Sequence, residues 1–219
     1  MAIPNRNSVY PIYIIESFSL IDIIRGYDEG EFLEELLRRL QLPFKREKPG
    51  DLKSFENVIN GSFRKFYRKN GRKVVLHISM HGNRNGIVLS NKSIVSWEHL
   101  SKLLNNICQG NLVLYLSACI SIFAKDMVFR SSSPFDYLIC NHGKVKNDEA
   151  IIASSVLYHK LSLGSDIGTI ANAMRIASSN ESFEIISLEE IRKSQRLLRE
   201  FKKMMAEKRR KLYLNSIKG

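Results

Sequence analysis

Cysteine is scarce in this chain. Only three of its 219 residues are cysteines, Cys108, Cys119 and Cys140, an odd set without a C-x-x-C pair. That excludes a disulfide-stapled scaffold and a cysteine-built zinc cluster, and it suits a reducing cytoplasm. Each of the three is a candidate free thiol. No run of eighteen apolar residues is present, so no membrane-spanning helix is expected. The N-terminal stretch MAIPNRNSVYPIYIIES has no basic region followed by a long apolar segment and a small-residue cleavage site, so the protein reads as soluble, cytoplasmic and not secreted. There is no internal repeat, no low-complexity segment and no G-x-x-x-x-G-K-[ST] pattern; the last absence excludes a phosphate-loop nucleotidase.

What is abundant is positive charge. Lys and Arg number 34 against 22 Asp and Glu, a formal charge of +12. Residues 189–219 hold eleven of the basic groups against four Glu, and FRKFYRKNGRK (63–73) adds six. Such clusters attract nucleic acid, lipid head groups, acidic proteins or a nucleotide-like anionic ligand, although a solvated helix face and a basic loop account for them more simply.

With 44% hydrophobic residues the chain can fill one core. The first half alternates strand-like with helix-like segments, as a layered α/β domain does. Residues 10–18 (YPIYIIESF) read as a buried strand. Residues 29–40 read as a helix with Phe32, Leu33, Leu36, Leu37 and Leu40 on one face, followed by a second strand in LPFKREK and a helix over 51–67. Residues 73–80 (KVVLHISM) and 112–117 (LVLYLS) are further strands, separated by a hairpin in GIVLSNKSIV and a helix carrying Trp97, Leu100, Leu104 and Ile107. A strand at 135–140, helices from about 147 to 163 and from 166 to 177, and a short strand at 183–186 complete a domain over residues 1–188. Residues 189–219 form a basic amphipathic helical tail. The expected fold class is α/β: a three-layer sandwich with a mainly parallel central sheet.

His77 and His81 are spaced as in the zinc-protease pattern H-E-x-x-H, but that motif needs a helix. On a strand, four residues separate the two rings by about 13 Å, too far to share one zinc. Ile78 also stands where the glutamate should be. No metal and no cofactor are therefore expected. His81-Gly82 closes one strand and Cys119 follows another, LVLYLS, in the same topological position. If the two strands are parallel neighbours, thiol and imidazole emerge at one sheet edge, where the loops of an open α/β sheet gather reactive groups. Cys119 is then a nucleophile and His81 its general acid/base. The amides of Gly82 and Cys119 are oxyanion donors. Cys140 with His142-Gly143 echoes the pattern but is adjacent in sequence, and Cys108 reads as a buried helix residue.

The order strand-His-Gly, crossover, strand-Ser-Ala-Cys-Ile-Ser resembles the caspase-like cysteine peptidases, and SACIS is most similar to the bacterial CHAT-type branch. The resemblance spans roughly residues 8–187, with FDYLICNHGKVKNDEA similar to the family's post-cysteine strand, loop and acidic helix start. It implies a caspase-hemoglobinase fold, a His81–Cys119 dyad, hydrolysis of protein substrates, and a regulated role in bacterial antiviral defence or cell suicide under an activating partner protein or a small anionic ligand. The chain departs from its better-known relatives at Ser117. Caspases carry Gln at that position, two residues before the cysteine, and metacaspases carry Asp. Ser117, Glu16 and Asp148 are the candidate substrate-binding residues, with Glu149, Arg84 and Lys144 as other charges near the same edge. The alternative is an inert caspase-like fold that binds nucleic acid or serves as a scaffold, with the basic runs as its footprint.

Overall fold

The computed structural model describes residues 10–70, 74–108, 112–128 and 132–218, with side chains described to residue 207. Part of the basic FRKFYRKNGRK run, residues 71–73, and the side chains at the end of the basic tail lie outside the described residues.

The β-branched and aromatic runs form the strands of one sheet: β1 (Ile12–Ser17), β2 (Phe44–Glu47), β3 (Val74–Asn83), β6 (Leu112–Ser117), β7 (Tyr137–Asn141) and β8 (Phe183–Ser187), in the order β2-β1-β3-β6-β7-β8. All neighbours pair in parallel except β8, which runs antiparallel to β7. Beyond the sheet edge β3 continues into a meander with β4 (Gly86–Val88) and β5 (Ile94–Ser96).

Strand side chains alternate between two faces, and each face fills its own core. Ile12, Ile14, Val75, Val113 and Tyr115 pack with Leu33 and Leu37 of α2 (Glu29–Arg39), with Leu157 and Tyr158 of α6 (Asn147–Ser162), and with Met174 of α7 (Ala171–Ser178). Tyr13, Ile15, Leu76, Ile78, Leu114 and Leu116 face the other way. They pack against α3 (Leu52–Asn57), the π-helical turns Val58–Phe63 that join it to α4 (Arg64–Asn70), and α5 (Trp97–Asn105). These are the three layers expected for an α/β sandwich.

Local differences from the sequence expectation have physical causes. Phe32 sits at the margin of the α2 stripe and is 49% exposed, whereas Leu33 and Leu37 are fully buried. The helix expected over 51–67 runs on to Asn70, because nothing breaks it there. The helix expected over 166–177 is split: Asp166 accepts the Gly168 N–H at 2.9 Å and winds Ile167–Thr169 into a 3-10 turn before α7. A five-residue helix, α1 (Leu20–Ile24), was not expected, and none of its residues is buried. The basic helix α8 (Leu188–Lys218) starts docked on the domain, with Ile191 buried and the Gln195 amide donating to the Val128 carbonyl at 3.1 Å. Farther along, its apolar side chains Leu197, Leu198, Phe201 and Met204 are exposed.

Candidate active site

β3 and β6 are parallel neighbours with Ser79 opposite Ser117. Both serines point toward α2 and α6. Two residues further along each chain, on the same face, come His81 and Cys119. Cys119 lies in the turn after β6, and both side chains line one narrow crevice of about 40 Å³, together with Phe18, Tyr27, Ser117 and Glu29. Gly82 makes the approach of the two segments possible. A Cβ at that position would lie 2.8 Å from the Cys119 carbonyl oxygen and 2.9 Å from the Ala118 Cβ.

His81 is held from three sides. Its Nε2 lies 3.3 Å from an Asp22 carboxylate oxygen, and its ring packs edge-on to Phe18 and tilted against Tyr27, with centroids 5.5 and 6.0 Å away. Asp22 is itself fixed by the cap of α1, where one carboxylate oxygen accepts the Ser19 hydroxyl at 2.6 Å and the Ser19 N–H at 3.0 Å. The Ser19 hydroxyl, and with it the neighbouring imidazole, holds the Asp22 carboxyl below its usual range, so Asp22 stays anionic beside the histidine.

Among the three cysteines, Cys119 is the one that is not buried. Its sulfur accepts the Val145 N–H at 3.4 Å, a bond that strengthens when the sulfur carries charge. Val145 lies just ahead of α6, whose N-terminal end faces the same crevice through Lys146 and Asn147. Ile120, the next residue, has φ 54° and ψ 29°, a left-handed conformation rare for a β-branched side chain, and its N–H is anchored on the Gly143 carbonyl at 2.9 Å. Such strain persists only where the surroundings enforce it.

The other thiols differ. Burial pushes the Cys108 thiol up to about 12 and raises that of Cys140 further, so neither is poised to ionise. His142 is exposed and pairs with Glu184 at 3.3 Å. His77 is fully buried, stacks on Tyr115 with centroids 4.3 Å apart, and shares a 2.7 Å hydrogen bond with the Tyr158 hydroxyl. Burial lowers its pKa, so it remains neutral in the core.

Of the candidate substrate-binding residues, Ser117 lines the crevice, but Glu16 and Asp148 do not. Glu16 is 2% exposed and turned toward β2, where it pairs with Arg46 at 3.1 Å and Lys48 at 3.4 Å and accepts the Gly30 N–H at 2.8 Å. Asp148 is exposed in the first turn of α6, where a carboxylate suits the helix end. The acidic group that does reach the crevice is Glu29, 1% exposed at the start of α2. One of its oxygens accepts the hydroxyls of Ser79 at 2.6 Å and Ser117 at 2.7 Å, and the other accepts that of Ser154. In sequence Glu29 looks like an ordinary helix-start charge. The one signal pointing to it was the matching pair of serines two residues before His81 and Cys119.

No model of a protein family matches the sequence, and neither does any curated protein. Among solved structures the chain is similar to the Drosophila initiator caspase Dronc, with 12% identity, a TM-score of 0.56, and 87% of this chain and 83% of that one covered. It is also similar to iotapain, a secreted C11 cysteine protease from Bacteroides thetaiotaomicron, with 10% identity, a TM-score of 0.54, and 84% and 67% covered. A third likeness is to RgpB of Porphyromonas gingivalis, solved as a complex of its pro- and mature domains, with 11% identity and a TM-score of 0.52; 81% of this chain matches 47% of that one. Identities this low speak for the fold alone. The chain has the caspase-like fold, a mostly parallel central sheet flanked by helices.

Proposed function

We propose that this protein is a cysteine endopeptidase acting through Cys119 and His81. The observation that carries the reading is that both side chains line one crevice, two residues past the last parallel pair of β3 and β6, Ser79 opposite Ser117. In the proposed cycle the Cys119 thiolate attacks the substrate carbonyl carbon, and the amides of Gly82 and Cys119 stabilise the oxyanion that forms. The C–N bond breaks as protonated His81 gives its proton to the leaving amine, which leaves a thioester on Cys119. Neutral His81 then takes a proton from water as the water attacks the thioester. The C–S bond breaks, the acid product departs, and thiolate and imidazolium are restored. Asp22 holds the imidazole in place and stabilises its cationic form.

The substrates are proteins, and the activity is under control in a bacterial cytoplasm as an effector of antiviral defence or cell suicide of the CHAT-type branch. Two features favour control by a partner protein or a nucleotide-like anion: the exposed apolar stripe of α8 and the basic groups around it. No described helix is long and apolar enough to cross a membrane.

The test compares self-cleavage, casein degradation and labelling by a thiol-reactive peptide probe in the wild type, Cys119→Ala and His81→Ala. Wild-type labelling at Cys119 that disappears with His81→Ala is the expected result; equal labelling in both sinks the reading. The +12 charge favours a second reading, an inert fold that binds nucleic acid. It calls for salt-steep retention on nucleic acid that is indifferent to both substitutions.

A further inference from the structure

The helix α8 is anchored to the domain only by its first turns, where Ile191 is buried and Gln195 is tied to Val128. From Arg196 to Glu207 every side chain except Met205 is exposed, and Leu197, Leu198, Phe201 and Met204 are each more than half exposed. At 100° per residue these four and Met205 fall within an arc of about 120°. Ile191 and Gln195 sit about 100° around the helix from the centre of that arc. The stripe therefore faces solvent beside the domain rather than the domain itself. Basic groups complete the circumference: Lys193 and Lys202 on its two shoulders, and Arg192, Arg196, Arg199 and Lys203 behind. All six are exposed, and among the described residues none of them has an ion-pair partner.

A partner has to satisfy the charge and the stripe together. Nucleic acid would neutralise the cations and leave the apolar side chains in water. A single partner helix fills a narrow seam, two positions in about seven, whereas here five of the nine residues from 197 to 205 are large and apolar. A second copy would bring shoulder lysines against shoulder lysines. A broad apolar stripe with cations on both shoulders matches a flat anionic surface with an apolar interior. We propose that α8 docks the protein on an anionic lipid surface. The helix lies in the interface plane, with Leu197, Leu198, Phe201 and Met204 among the acyl chains and Lys193 and Lys202 reaching the phosphates of the head groups. It rests on the bilayer and does not cross it, being too polar to span.

The experiment sediments the intact chain with vesicles of phosphatidylcholine alone, or of equal parts phosphatidylcholine and phosphatidylglycerol. Partition onto the anionic vesicles is expected to be about 100-fold stronger, since each cation near such a surface contributes about fivefold. Phe201→Ser should weaken it about tenfold, and Lys193→Gln with Lys202→Gln about 25-fold together. These side chains are exposed, so the domain stays folded, which circular dichroism checks. Insertion of the stripe is read separately: Phe201→Trp should give emission that shifts to the blue on anionic vesicles, and Lys203→Trp, on the opposite face, should not. Equal partition onto the two vesicle types, or equal shifts from the two tryptophan variants, overturns the proposal. So does a chain that stays in solution beside anionic vesicles but is retained on double-stranded DNA or pairs with its own copies. None of these readouts involves Cys119, so failure here leaves the peptidase reading untouched.

Discussion

Gly82→Ala is the sharpest probe of the geometry. The added methyl carbon would stand 2.8 Å from the Cys119 carbonyl oxygen, about 0.6 Å short of ordinary contact at 3.4 Å, and 2.9 Å from the Ala118 Cβ. The carbonyl is backbone and cannot swing away, so the strand end of β3 and the Cys119 turn must move apart by roughly that amount. Catalytic groups have to be held within about 0.5 Å, and a misplacement of about 1 Å costs about 100-fold. Peptidyl labelling of Cys119 should therefore slow by about 10- to 100-fold. Gly50→Ala is the control, since its nearest neighbour is the Ser90 Oγ at 3.5 Å. The assay follows labelling rates at fixed probe concentration, with far-UV circular dichroism to confirm that both variants are folded. A folded Gly82→Ala protein that labels as fast as wild type would refute the claim that these two segments form the site.

Two further outcomes follow from the surroundings. Burial depresses the His77 pKa in the folded protein, so the unfolded chain takes up a proton that the native one does not. The stability this contributes is fully present above the unfolded value of about 6.5 and is lost as the pH falls from there toward the lower folded value. Urea midpoints of wild type should drop over that range by more than those of His77→Phe; parallel curves would contradict the assignment. Asp22→Asn keeps the shape of the α1 cap but removes the anion 3.3 Å from His81. It should lower kcat about tenfold with little change in KM, and Asp22→Glu should restore part of the loss, whereas a merely structural Asp22 would show no such split in steady-state kinetics.

The framework was legible because its signals are local. Runs such as IYII and LVLYL announce buried strands by their own composition, and the parallel order follows from the strand-helix alternation. His81 and Cys119 could be singled out because each follows an apolar strand run, a position readable from a few neighbouring residues, although β3 continues past His81 to Asn83 to pair with β4. The partners that surround them could not. Asp22 lies on a short exposed helix that no apolar periodicity announces, and Glu29 meets Ser79, Ser117 and Ser154 through sequence separations of 50, 88 and 125 residues. Glu16 and Asp148 are acidic candidates in sequence because each is expected near the same sheet edge, Glu16 at the end of the first strand. Which acid turns inward depends on which cations the fold brings up to it, and Arg46 and Lys48 draw Glu16 away from the crevice.

The parallel pairing of β3 with β6 also sets when the two candidate side chains can meet. An antiparallel pair can close through a tight turn, but these strands meet only after the β4–β5 meander and α5 have crossed over to bring β6 alongside β3. A nascent chain still emerging from the ribosome, or one trapped half-assembled, holds its sulfur and its imidazole on unconnected stretches of polypeptide. Under the peptidase reading, completing the sheet is thus what first arms the chain.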